Sequence, residues 1–405
     1  PTALRTFALV SGQDLGSLVS DIASQQWVVT IGTIGVVLAF AASLLKPAHL
    51  KIFLLIGLVL GLVAWGIIFF QLAGAEPGSF EVAWNAAMGD GSFTEHLESA
   101  QKLGMQITPP GQVLPYAGLL MGFWILFGYS SPTYFAGEVK NPGKTLISSS
   151  WSALLVSGVI FLAAAWLVQR AIPMDFLNAE SYLSQNSQFG STATPFITYY
   201  AALLFPSLPL VVFTGVAWVY VTFCMAVAYF FFTSRIALAW ARDNVLPGGL
   251  GVIHPTRRAP ILALFFIAML AFLGVMDASQ LAPLLSHINY VLIAVVCMLV
   301  PLIALFVFPF TQKKWFASSP RLVRLKLGPI PLISLVALIT ILALIWLAIS
   351  HFLYPGNSQP PSWVDLTAFF LFFGGGILVY SNRKESLRQK GIELGDAFKE
   401  LPQDD

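Results

Sequence analysis

The chain has 405 residues, 57% of them hydrophobic and only 10% charged, with a net charge of +2 and a mean hydropathy of +0.79. A soluble domain carries about 25% charged residues, so this composition excludes a soluble globular protein and sets the class as an all-α integral membrane protein. It also offers no basic surface for nucleic acid and no metal-ligand spacing among the five histidines, and Cys224 and Cys297 are expected to be buried, reduced and structural, since both lie deep in apolar runs.

The chain opens at Pro1 with no signal-peptide pattern, so an upstream start is expected. Residues 1–12 are apolar but too short to span a bilayer. Nine later runs are long enough: 27–45, 51–73, 113–137, 147–169, 208–240, 260–277, 284–310, 330–353 and 363–380. None alternates in polarity, so helices are expected throughout. The run 208–240 is long for one span and is expected to tilt or project. In the second run, Gly57 and Gly61 form a small-xxx-small pair suited to helix packing.

Eighteen of the 21 Lys and Arg residues fall in alternate connections: Lys46 and Lys51, Lys140 and Lys144, Arg235 to Arg258, Lys313 to Lys326, and Arg383 to Lys399. Only Arg5, Lys102 and Arg170 lie on the other side. The positive-inside rule makes the basic side cytoplasmic, so the tail 381–405 is inside and residue 27 starts outside. An N-terminus inside the cell then requires an odd number of spans before residue 27. The acidic loop 74–112 (Glu76, Glu81, Asp90, Glu95, Glu98) reads as a solvated outer cap with short surface helices.

The third run contains "FGYSSP", Phe127 to Pro132, and then leaves the apolar phase at Glu138 and Lys140. Pro132 lacks an N–H and its ring clashes one turn back. Gly128 weakens the same turn, and Ser130 and Ser131 can bond freed backbone groups. A kink or unwound piece near mid-bilayer is expected, and such backbone is tolerated only where it lines a cavity or is buried in protein. In transporters, discontinuous helices of this kind build substrate sites.

The stretch "FGYSSPTYFAGEVKNPGKTL" resembles the sixth transmembrane helix of the amino acid–polyamine–organocation (APC) superfamily and its exit into the cytoplasm. Downstream, "SRIALAWARDNVLPGGLGVIHPTRRAP" is similar to the exit of that family's eighth helix. The resemblance covers about residues 27–380. It implies the APC/LeuT-type inverted-repeat transporter fold, with the nine runs equivalent to helices four to twelve and residues 1–26 the end of helix three and an outer loop. It also implies a transporter of amino acids or similar small metabolites working by alternating access in the cell membrane, with no cofactor.

On that resemblance, Phe127, Gly128, Tyr129, Ser130 and Ser131 are the substrate-binding break. Tyr229 aligns with a position that carries a substrate-stacking aromatic in relatives. Thr222, about two turns earlier, is a hydroxyl near mid-helix, and Asn289 and Tyr290 open the tenth helix as site or gate candidates. Glu138 and Arg235, both near the cytoplasmic boundary, could pair to lock the inner vestibule. The family often has an acid at the break, where this chain has Ser130. Glu138, Asp243, Asp277 and Asp365 all lie at span edges. A polyamine needs buried carboxylates for its ammonium groups, so a neutral amino acid is expected, with a polyamine or organocation as the alternative. A coupling proton or sodium ion is the usual partner in relatives, yet Thr222 is the one plausible hydroxyl near the middle of the eighth-helix run, helix one is absent from the resemblance, and Lys51 sits at a helix end, so neither mechanism is supported. A membrane-embedded enzyme would need clustered acids, histidines or a nucleophile; Glu138, Asp243 and His254 are far apart. A non-transporting permease fragment is the remaining alternative.

Overall fold

Far more apolar side chains are present than an interior can hold, and the helices place the surplus outside. The computed structural model describes residues 2–105, 119–185, 196–255, 257, 259–282, 288, 290–353 and 363–391. In chain order the helices are α1 (Thr2–Ser11), α2 (Gly16–Ala23), α3 (Gln25–Ser43), α4 (Pro47–Ala73), α5 (Ser79–Met88), α6 (Ser92–Lys102) and α7 (Leu119–Ile125). After a 3-10 segment, Ser131–Glu138, come α8 (Pro142–Ala171), α9 (Met174–Gln185), α10 (Ile197–Leu204) and α11 (Leu208–Arg242). A short 3-10 turn, Gly248–Gly251, leads to α12 (Ile261–Ala278), α13 (Tyr290–Thr311) and α14 (Lys313–Ser318). Strands β1 (Lys326–Leu327) and β2 (Ile330–Pro331) form a minimal antiparallel hairpin before α15 (Leu332–Leu353) and α16 (Trp363–Arg388).

Among the described residues, seven helices are long and apolar enough to cross a membrane: α3, α4, α8, α11, α12, and most of α13 and α15. Prolines at the first turn of α4, α8 and α11 start those helices where a missing N–H costs nothing. Helix α8 shows why lipid is required. Trp151, Leu155, Val159, Leu162 and Trp166 recur at three- and four-residue spacing and are all exposed, Leu162 to 74%. A stripe of that size in water would be an aggregation surface. Helix α11 has 35 residues, about 52 Å of helix at 1.5 Å per residue, against a hydrocarbon core of about 30 Å.

The chain divides into two units. The first comprises residues 1–107, 128–283 and 386–405, and the second 108–127 and 284–385. In the first, α11 is the central post, packing on α1, α3, α4 and α12. Its contact with α4 is close because Gly57 has no side chain: a Cβ there would lie 2.6 Å from Cys224 Sγ, and one at Gly61 would lie 3.3 Å from Val221. One hydrophobic cluster joins α3, α4, α11 and α12 around Leu50, Val227, Phe230 and Leu264 at the basic end. The other, around Phe80, Trp84, Phe93, Phe176 and Tyr200, lies at the acidic-loop end. In the second unit α13 packs along α15 through Val295, Leu344 and Leu347.

Two expectations need correction. Cys224 is buried, but Cys297 is exposed on α13; hydropathy alone does not separate a lipid-facing position from a packed one, since both are apolar. The acidic loop carries the expected short helices, α5 and α6, yet they are more than a solvated cap. Phe80, Trp84, Phe93 and Ala100 are buried, packed against α9 and α10. Apolar residues at spacings of three and four within each short helix make this face.

Candidate functional site

The helix break is local and sharp. Helix α7 ends at Ile125, and the regular i to i+4 ladder gives way to three-residue turns: Phe127 N–H donates to the Trp124 carbonyl, Ser131 N–H to Gly128, and Thr133 N–H to Ser130. Gly128 has φ +102°, a region that side chains avoid, so glycine is required for this path. Pro132 opens the 3-10 segment that follows, and Phe135 leaves helical angles within it. Phe127 stacks on Trp124 at 5.6 Å, and Phe127 and Tyr129 are both exposed. Ser130 and Ser131 are half-buried. The start of the run, residues 106–118, lies outside the described residues, as does Asn289.

The 3-10 segment lies along α11. Tyr134 stacks on Phe232 at 5.6 Å and Phe135 meets Phe231 at 5.1 Å. Tyr229, exposed, packs against Phe232 at 4.8 Å. Thr222 is exposed on the same helix, and its hydroxyl donates to the Trp218 carbonyl one turn back at 2.8 Å. Tyr290 is the first residue of α13 and is exposed.

Glu138 and Arg235 come together, although 97 positions apart. Arg235 Nε donates to Glu138 Oε1 at 2.8 Å and Nη2 to Oε2 at 3.4 Å, a two-pronged pairing. The guanidinium lies 3.5 Å over the Phe231 ring and also donates to Ser234 Oγ at 3.1 Å. Arg235 is 8% exposed and Glu138 45%. The pair therefore ties the end of the interrupted segment to α11 at the basic end. Just beyond it, Asn141 takes a left-handed turn at φ 53° and starts α8.

Sequence reasoning missed a second polar cluster, at the acidic-loop end. His96 Nε2 of α6 and Glu180 Oε2 of α9 approach to 2.5 Å, with Glu180 only 1% exposed. His96 is sandwiched against Phe176 at 5.0 Å and Trp84 at 5.6 Å. Burial, then the Glu180 carboxylate, raises the neighbouring Tyr200 hydroxyl; the same causes push Tyr199 up to about 12, and Arg5 pulls it back. The available signal was amphipathic spacing that brings His96 to the same face as Phe93 and Ala100.

Long helices with exposed apolar stripes, one of the apolar runs interrupted, define a multi-pass helical membrane protein. The sequence profile of the Amino acid permease family matches residues 2–378, and the chain belongs to that family. It is similar to the glutamate/serine transporter AimA of Bacillus subtilis, 26% identical over 183 residues, which are 42% of this chain and 30% of that protein. Against the branched-chain amino acid permease BcaP of the same organism, identity is 26% over 44% of this chain and 35% of the relative. The vacuolar cationic amino acid transporter 4 of Arabidopsis thaliana is 26% identical over 42% of this chain and 26% of its own length. The matched region thus spans about a third or less of each of these curated relatives.

Proposed function

We propose that this chain carries a secondary active transporter of neutral amino acids that works by alternating access in the cell membrane. The basic end faces the cytoplasm and the acidic loops face outside. The observation that carries the reading is the break at Gly128–Ser131, which puts non-helical backbone within an apolar run. Such backbone is costly in lipid and persists where it lines a cavity or is buried in protein. Phe127, Tyr129, Ser130 and Ser131 supply ring faces and hydroxyls but no charge, and the described spans carry acids only near their ends. A substrate whose own charges cancel suits that lining better than a polycation. Tyr229 and Thr222, along α11, are the further candidates for the lining, Asn289 and Tyr290 are site or gate candidates on the family resemblance alone, and Glu138–Arg235 is the candidate inner gate. Membrane lipid covers the exposed stripes, and a proton or sodium ion is the candidate driving partner.

Uptake by the full chain in proteoliposomes, measured with labelled leucine, serine, glutamate, arginine and putrescine, tests the substrate class. Leucine or serine should enter fastest; preference for putrescine or arginine overturns the argument from charge. Sidedness is checked with single cysteines at Ser92 and Ser386 in a variant without Cys224 and Cys297. They should label from opposite faces, and labelling of both from one face overturns the orientation.

A further inference from the structure

A cleft of about 470 Å³ opens at the acidic-loop end, away from the helix break. It lies between α1, α2, α5 and α10, and its polar lining is Arg5, Gln13, Asp14, Ser20 and Tyr199. Opposite charges come from different elements: Arg5 from α1, Asp14 from the turn before α2. Leu9, Val19 and Met88 supply apolar wall. The Asp14 carboxylate is held in place, since one oxygen accepts the Gly16 N–H at 2.9 Å and leaves the other for a second donor. The hydroxyl of Tyr199 remains protonated well beyond neutrality, because burial pushes it up to about 12. It is therefore a donor, and it lies within the electrostatic reach of the Arg5 guanidinium.

We propose that this cleft is a second amino-acid site, a capture site at the outer mouth that takes the zwitterion before it reaches the break. Arg5 and the Tyr199 hydroxyl hold the carboxylate, Asp14 and the Gln13 side-chain oxygen hold the ammonium, and Leu9, Val19 and Met88 cover an aliphatic side chain. The chemistry selects against single charges. A bare carboxylate meets Asp14 with repulsion, and a bare amine meets Arg5 likewise. The volume lies within the usual range for small-molecule pockets, about 300–1,000 Å³. An exposed Asp14 and a half-buried Arg5 give modest affinity, which suits a site that must release its occupant. The inference rests on the transport reading for its role, but not for its chemistry.

Ser20→Cys, an exposed position on the cleft wall, reports occupancy directly in a variant of the full chain lacking Cys224 and Cys297. Leucine should slow its reaction with a charged thiol reagent. Leucinamide, without the carboxylate, and isovalerate, without the ammonium, should need at least tenfold higher concentrations for equal protection. Arg5→Gln and Asp14→Asn should each weaken leucine protection at least tenfold, while Arg5→Lys keeps most of it; an unchanged thermal midpoint shows that these variants fold. Equal protection by all three solutes, or full protection by leucine in both charge-removing variants, overturns the proposal. Uptake without protection sinks the cleft and spares the transport reading. Protection without uptake does the reverse.

Discussion

Glu138→Gln removes one anion and keeps its shape, which makes it the sharpest test of the inner pair. Arg235, 8% exposed, would be left above Phe231 with Ser234 Oγ and the Phe231 carbonyl as its remaining bonds. Unit charges about 4 Å apart attract by roughly 4 kcal/mol at an effective dielectric of 20. Glu138 is 45% exposed, so water screens much of this and about 1–2 kcal/mol is a fair net coupling. If the pair closes the basic-end vestibule, that energy shifts the open-to-closed ratio about 5- to 30-fold. Ser130→Cys, at the break, serves as reporter in a variant lacking Cys224 and Cys297, with an impermeant thiol reagent applied from the basic side. Glu138→Gln and Arg235→Gln should each speed labelling at least fivefold. The double variant should do no more than either single one, because both changes remove the same interaction. Unchanged rates in folded proteins, or single effects that simply add, would refute the gate.

Gly57→Ala places a methyl group 2.6 Å from Cys224 Sγ, which should cost about 1–3 kcal/mol and lower the thermal midpoint; adding Cys224→Ala should restore most of it, and no shift in the first variant overturns the packing. Gly128→Ala with Pro132→Ala favours continuous helix by about 1 and about 3 kcal/mol. Equilibrium leucine binding should be lost in a protein that still unfolds cooperatively, whereas wild-type affinity leaves the break an ordinary kink. Tyr199 titrates near 12 in the folded protein against 10 in an unfolded chain. Between those values the unfolded state has lost a proton the folded state keeps, so stability is intact below about pH 10 and falls as pH rises through 12, by about 3 kcal/mol in all. Tyr199→Phe should flatten the thermal midpoint's alkaline decline; an undiminished decline removes Tyr199 as its cause.

The helix break was legible because its causes are local. Glycine at φ +102° and a proline four residues on act on the backbone they belong to, so "FGYSSP" announces itself within one turn. The Gly57–Gly61 pair was legible for the same reason: a stripe without side chains can serve close packing and little else. The partner of that stripe was not, because Cys224 and Val221 lie more than 150 positions away and no pattern in either run names the other. Cys297 illustrates a different loss. In water an apolar run implies burial; in lipid it does not, so the exposed and packed faces of α13 have the same composition.

The acidic-loop end was the least legible part, for a reason that bears on function. Its core takes contributions from α4, α5, α6, α8, α9 and α10, and none of the short helices holds enough apolar surface to fold alone. What fixes them is a shared set of rings around Phe176, with Glu180 buried beside His96. A buried carboxylate is expensive unless partnered, so the close approach of His96 ties α6 to α9, and Tyr200 of α10 stands in the field of the same carboxylate. Tyr199, the neighbour of Tyr200 in the chain and under the electrostatic influence of Arg5, is carried by that same framework to the wall of the outer cleft. On the proposed capture role, the aromatic core determines where the Tyr199 donor stands on the cleft wall. Loosening it by Phe176→Ala should weaken leucine protection of the Ser20→Cys reporter even though Phe176 does not line the cleft.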